Sequence, residues 1–289
     1  MSIVKFIYRF SQFITNRFLK NNSIKVAKYN PELVAYLYDD ISWHILINGD
    51  YEKEYMIKAI NFFKKINGFK FEYFIDVGAN IGTTALNVHN FFDKVISIEA
   101  NPRTYKILEL NTLNIKNIDR YEYAISNRSE KMKLNYRYGS FSGAYIGKKE
   151  DDKYQNYKIV ESITLNKLLG KINKSDMVIK LDIEGEETNA LIGALEIIEK
   201  HNPIFIIEIN KREINNSSSS AFAFLKKLNY KFYNIQKKYT GDNPIIKRIR
   251  WNEPLQIVEI RSLKKKFRLY PTLLCIPNNL SFIESNKNY

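Results

Sequence analysis

Cysteine occurs once in this 289-residue chain, at Cys275, and histidine three times. One thiol excludes a disulfide framework and any cysteine-based structural zinc site. It suits a reducing compartment, so a cytoplasmic location is expected. Long apolar runs are missing as well: no uncharged stretch approaches the roughly 20 residues needed to cross a bilayer. Lys5, Arg9 and Arg17 interrupt the apolar start, so no secretory signal is expected there. The dinucleotide fingerprint G-x-G-x-x-G and the P-loop G-x-x-x-x-G-K-S/T are both absent, which excludes those nucleotide sites. General disorder is excluded by what is present, 45% hydrophobic and 14% aromatic residues, enough for a sizeable core.

Acid is absent from residues 1–28, which carry six Lys/Arg. Residues 29–210 hold 23 bases against 26 acids, and residues 211–289 hold 16 against 5. A mildly acidic body thus lies between two basic flanks, and the whole chain carries +14. Such flanks favour an anionic partner, or else form a plain solvated surface. Ile3, Phe6, Ile7, Phe10, Phe13 and Ile14 recur at helical spacing, with Lys5, Arg9, Gln12, Asn16 and Lys20 on the other side. This amphipathic helix is expected to pack its stripe onto its own domain. The alternative is an anionic membrane surface, reached through residues 1–20 and making the protein peripheral to the membrane.

Residues 29–70 read as mostly helical, with 41–47 (ISWHILI) a strand. Strand and helix then alternate. Strands are expected at 71–77, 94–99, 121–126, 177–183, 203–209, 230–236 and 272–276, and helices at 81–92, 102–113, 186–200 and 218–228. Continuous apolar strands between helices mean a parallel sheet covered on both faces. No helical pattern separates the last two strands, which should therefore pair antiparallel at one edge. Residues 137–158 read as a loop or small insertion, and 237–270 as basic and irregular, with a possible extra strand at 257–260.

The first strand turns into a helix through Asp76-Val77-Gly78-Ala79-Asn80-Ile81-Gly82. Gly78 and Gly82 permit a tight turn and a close backbone approach, and the helix start beyond them can offer N–H groups to a carboxylate. Glu99, at the end of the second strand, can accept hydrogen bonds from both hydroxyls of a ribose. An acid–glycine turn in register with a second-strand acid is the pattern of an S-adenosylmethionine site. The third element, Lys180-Leu181-Asp182-Ile183-Glu184-Gly185-Glu186-Glu187, ends the fourth core strand, at the rim where open α/β sheets bind ligands. Alternation places Lys180, Asp182 and Glu184 on one side, where the lysine should lower the carboxylate pKa values. Glu186 and Glu187 fit an ordinary acidic first turn. Glu208 adds an acid to the same rim.

DVGANIG, the IEANP at Ile98 to Pro102, and IKLDIEGEE followed by a helix and NPIFIIEI resemble the FkbM family of S-adenosylmethionine-dependent methyltransferases. The lead-in Tyr51-Glu52-Lys53-Glu54 and the ITLNKLL at 163–169 are similar too, although the family's T-L-D aspartate is Asn166 here. The resemblance covers about residues 45–235, with Pro271 to Pro277 like the closing strand. It implies a Rossmann-like class I methyltransferase fold, a mostly parallel seven-stranded sheet with helices on both faces and an antiparallel last strand. The organisation expected is an N-terminal helical cap at 1–69, the methyltransferase domain at 70–277 and a tail at 278–289. The activity implied is O-methylation of a hydroxyl on a sugar, glycan or secondary metabolite. The expected cofactor set is Asp76, Gly78, Ala79, Asn80, Gly82, Glu99, Ala100, Tyr123, Ala124 and Asp182. The proton acceptor is expected in Asp182 or Glu184, with Glu208 behind them. Asp182, Glu184 and Glu208 could also form an oxygen-rich cation site, though no metal is assigned.

Histidines are the usual alternative base. His89 and His201 lie far from the strand tips, while His44 lies in a segment that could fold over the site. Two other readings compete: an RNA ribose methyltransferase and a non-catalytic member of the fold. The acidic rim repels a phosphate backbone, so a nucleic-acid partner is not expected. The intact glycine turn argues against loss of catalysis. Cys275 lies inside an apolar strand, as an inert buried thiol does.

Overall fold

A computed structural model of the chain describes residues 3–29, 32–36, 39–137, 140–146, 156–210, 214–215, 220–237, 254–264 and 269–283. Three helices come first: α1 (Ile3–Tyr29), α2 (Asp40–Asn48) and α3 (Lys53–Phe63). The alternating part follows as β1 (Tyr73–Val77), α4 (Thr83–Val88), β2 (Lys94–Ile98), α5 (Pro102–Thr112) and β3 (Ile118–Tyr121). A second sheet is inserted here, from β4 (Ala124–Ile125), β5 (Lys131–Arg137), β6 (Ser140–Ile146) and β7 (Asn156–Ile163). The chain then resumes with α6 (Leu165–Leu169), β8 (Met177–Leu181), α7 (Glu187–Ile192), α8 (Leu195–His201) and β9 (Ile204–Asn210). It closes with α9 (Ala221–Lys227), β10 (Tyr230–Lys237), β11 (Leu255–Ile260) and β12 (Leu269–Pro277).

The main sheet runs β11-β10-β12-β9-β8-β1-β2-β3. Its β9-β8-β1-β2-β3 part is parallel, and β12 pairs antiparallel with both β9 and β10. Seven strands give the order and the reversed last strand of the Rossmann-like class I methyltransferase fold. The eighth, β11, pairs antiparallel with β10 and takes the edge. It includes the extra strand read at 257–260, and the antiparallel pair β10–β12 accordingly lies one strand inside the edge. The other basic residues at 238–253 and 265–268, much of the segment at 138–155, the serines at 217–219 and the tail at 284–289 fall outside the described residues.

Strand residues of alternate parity fill two cores. Ile75, Val77, Ile179, Leu181, Phe205 and Ile207 face α6–α9, while Phe74, Val95, Val178, Ile204 and Ile206 face α3 and α4. Helix α3 buries Met56, Ala59, Ile60 and Phe63 in the second core, so it belongs to the sandwich that holds the sheet.

Several local expectations change. Residues 41–47 form helix α2, because Asp39 accepts a bond from the Ser42 amide and Gly49, at φ 92°, donates its N–H to the Ile45 carbonyl. Caps decided what a short apolar run left ambiguous. The helix expected at 81–92 is six residues long, Thr83–Val88. The strand expected at 121–126 is split between the two sheets, with Tyr123 at the crossing. The helix expected at 186–200 breaks at Gly193 and Ala194. Helix α1 is 27 residues long, and its aromatic stripe does not pack onto the domain: Phe6, Phe10 and Phe13 are exposed. Only its C-terminal part docks, through buried Asn22 and through Val26 beside Ile41, Ile45 and Ile81.

Membership of α3 in the core is measurable. Phe63→Ala is expected to cost about 3–5 kcal/mol in urea unfolding, the range for a buried phenylalanine. A cost below ~1 kcal/mol would place α3 outside the cooperative unit.

Candidate active site

A cavity of about 400 Å³ opens at the C-terminal tips of β1, β2, β8 and β9. Its size lies in the range of small-molecule sites. The turn after β1 forms its floor. Gly78, at φ +82°, lies so close to the β8 tip that a Cβ there would stand 1.9 Å from the Asp182 carbonyl oxygen. Only glycine fits this position. The Asp182 amide donates to the Val77 carbonyl, which ties the two tips together. Gly82, at φ +91°, turns the chain into α4 against Leu108.

Glu99 welds the turn to the next strand. One of its carboxylate oxygens accepts from the Asn80 amide at 2.9 Å, the other from the Asn101 amide at 2.8 Å. A carboxylate has about four lone-pair sites, so two remain for a ligand's hydroxyls. The amides of Gly78 and Ala79 both donate to the Ile98 carbonyl and so hold the turn. Thr83 and Thr84 line the cavity at the start of α4. Ala79, Asn80, Ala100, Tyr123, Ala124 and Asp182 line it too. Asp76 lies beneath, fully buried, with neither carboxylate oxygen hydrogen-bonded.

Beside this pocket Lys180 Nζ lies 2.7 Å from Asp182 Oδ2 and 3.8 Å from Glu52 Oε2. Burial pulls Lys180 toward the neutral form. The charges of Asp182, Glu52 and Asp76 outweigh it and hold the ammonium well above its ordinary pKa. Glu52 comes from the start of α3 and its backbone sits at φ 56°. It makes no side-chain cap bond to its own helix. Glu184, at φ 54°, stands in the turn after β8 at the cavity mouth, so the strand alternation that places Asp182 beside Lys180 does not extend to it. Among the described residues five non-glycines have positive φ, and three of them, Glu52, Asn80 and Glu184, line the cavity. Backbone strain of this kind concentrates at functional sites. Among the described residues no group of three or more His, Cys, Asp or Glu is arranged to hold a metal ion, so the oxygen-rich cation site does not form from Asp182, Glu184 and Glu208.

The family model for the methyltransferase FkbM domain matches residues 76–232, more than half of the chain. The chain belongs to the FkbM methyltransferase family. No curated protein matches it. Among solved structures it is similar to a methyltransferase FkbM from Methylobacillus flagellatus KT, at 14% identity and TM-score 0.45, over 88% of this chain and 58% of that one. It thus spans under two thirds of that protein. A precorrin-6y C5,15-methyltransferase from Geobacter metallireducens GS-15 is similar at 9% identity and TM-score 0.39, covering 76% of this chain and 88% of that one. An rRNA methylase from Streptococcus thermophilus is similar at 10% and 0.37, covering 72% and 95%. Likeness at this level identifies neither substrate nor site residues.

Burial, rather than the lysine, sets the acid–base character of the FkbM site. Desolvation pushes Asp76 up to about 6, Glu52 and Glu99 up to about 7, and Glu208 up to about 8. The Lys180 charge opposes the rise at Asp76, Glu52 and Glu208 but does not cancel it, and at Glu184, where the lysine was expected to lower the pKa, the shift is upward. Burial and then the Asp182 charge push Glu184 up to about 7, an effect that solvent at the mouth screens. His44 is exposed on α2 with its ring in a T-shaped contact with Tyr51, and is not among the lining residues. His201 bonds Ser175 on α8's far end, and His89 follows α4, both away from the cavity. The sequence reading missed Tyr51, Glu52 and Asp40 as lining residues. Only the family lead-in at Tyr51 to Glu54 pointed there.

These buried carboxyls make stability pH-dependent. Their folded pKa values lie above the unfolded values of roughly 4. Their stabilising contribution is therefore complete below about pH 4 and lost as pH rises through about 6 to 8. Glu208→Gln removes one such group. The variant is expected to unfold like the parent at pH 4 and to be more stable at pH 9, on the order of 1 kcal/mol or more. Equal stability of both at pH 9 would contradict the assignment.

Proposed function

We propose that this methyltransferase transfers a methyl group to a hydroxyl of a neutral, hydroxyl-rich acceptor, a sugar or glycan. The observation that carries the reading is the acid-lined cavity at the strand tips, where Glu184 and Glu208 take protons near neutral pH. In its cofactor half, Glu99 would accept the ribose hydroxyls, Gly78 and Asp182 would flank the methionine end, and Tyr123 and Ala124 would border the adenine. When bound, S-adenosylmethionine supplies an electrophilic methyl group. Methyl transfer to a hydroxyl releases one proton, and a nearby base must take it. Asp182 is engaged by Lys180, so Glu184 and Glu208, both raised toward neutral pH by burial, are the better placed acceptors. Hydroxyl groups can donate to these carboxylates, whereas a phosphate backbone is repelled by them. That disfavours ribose methylation of RNA.

Two measurements test this reading. Glu99→Ala removes a buried charged acceptor and should weaken S-adenosylhomocysteine binding in calorimetry by roughly 1.5–3 kcal/mol. Unchanged affinity would remove Glu99 from the site. With tritiated donor and a panel of free sugars, glycolipids and RNA, label is expected in the sugar-bearing acceptors. Turnover should rise with pH through about 7 to 8 as the pair ionises. Glu184→Gln or Glu208→Gln should lower turnover on the order of 10²-fold with donor affinity kept. Full activity in both variants would move the base to Asp182.

A further inference from the structure

We propose that helix α1 is a docking surface for an anionic lipid bilayer. Over its first five turns Phe6, Ile7, Phe10, Phe13, Ile14 and Phe18 form one continuous stripe, each between 50% and 60% exposed. At 100° per residue they share one side of the helix, and Lys5, Arg9 and Lys20 fall on the opposite side and its flanks, all exposed. Arg17 falls on the same face one residue before Phe18, where its long stem lets the charge reach upward to headgroups. An apolar patch of this extent with a polar border marks an interaction surface.

Charge selects the occupant. Residues 1–28 carry six bases and no acid. A second copy pairing through the same stripe would bring two such cationic helices together, at an electrostatic cost. A bilayer rich in anionic lipid offers both an apolar interior for the phenylalanines and negative headgroups for the lysines and arginines. The helix is too charged to cross the bilayer: among the described residues no helix is long and apolar enough to span a membrane. It therefore lies in the plane of the surface. Its C-terminal part is fixed to the body through Asn22 and Val26, against the cluster of α2 that includes Ile41. Ile41 also lines the cavity, so α2 links the docked helix to the wall of the active site.

The proposal stands apart from the choice of acceptor, and its test needs no turnover. The full chain would be sedimented with phosphatidylglycerol–phosphatidylcholine vesicles and with pure phosphatidylcholine vesicles, at low and high salt. Binding is expected to the anionic vesicles and to fall at least about tenfold when salt screens the headgroups. Phe6→Ser/Phe10→Ser/Phe13→Ser should abolish it, and Lys5→Glu/Arg9→Glu/Lys20→Glu should remove the preference for anionic lipid. Both variants should keep the parent's circular dichroism and S-adenosylhomocysteine affinity, because none of these residues lines the cavity. The proposal fails if wild-type chain does not bind anionic vesicles, if binding ignores salt and the charge reversals, or if the stripe variants bind as well as the parent. It fails equally if light scattering shows a dimer that the phenylalanine substitutions dissolve.

Discussion

A lysine taken out of water must bring its counter-charges with it, and Lys180 does so inside the central strand of the sheet. Its ammonium sits 2.7 Å from Asp182 just past the end of the same strand and 3.8 Å from Glu52 at the start of α3, with Asp76 as its neighbour on β1. Three separate parts of the chain are therefore anchored on one cation: the β1 turn, the β8 tip and the start of α3. Removing the lysine would strand several buried carboxyls at once. Keeping it confines the cavity to one geometry, with the acids held at the strand tips. The pairing is a means of arrangement more than a source of stability, since burying an ion pair costs about as much as the pair returns.

The glycine turn complements that arrangement. Gly78 lets the β1 backbone approach the Asp182 carbonyl more closely than any side chain allows. Glu99 then fixes the turn from the other side through the Asn80 amide. The same carboxylate that stiffens the floor keeps accepting capacity facing the cavity. A single residue thus joins the packing of the turn to the wall of the cavity.

The raised carboxyls describe a trade between stability and chemistry. Glu208 weakens the fold near neutral pH for the same reason that it can take a proton there: water has been removed from around it. A glutamine would be easier to bury and useless as a base. Strain at Glu52 and Glu184, both with positive φ, belongs to the same pattern. The exposed stripe of α1 is a second local departure from a self-contained fold, since six large apolar side chains face water.

Much of the fold, and the residues at the tips of its first two strands, were legible in the sequence alone. Apolar strands alternating with helices determined a parallel sheet covered on both faces. The local patterns DVGANIG and the second-strand acid placed the β1 turn and Glu99 at adjacent strand tips, because neighbouring strand–helix units pack side by side. Lys180 and Asp182 share a face because strand side chains alternate. Long-range arrangement decided the rest. Helix α2 was misread because an apolar heptad carries no period of its own, and its caps at Asp39 and Gly49 are decisive only once the chain has folded back. Glu52 joins Lys180 across 128 positions of sequence, a distance that no motif spans. The direction of the carboxyl pKa shifts was missed for a related reason. Charge sign is written in the sequence, but desolvation depends on how much protein surrounds each group, and only the tertiary structure sets that.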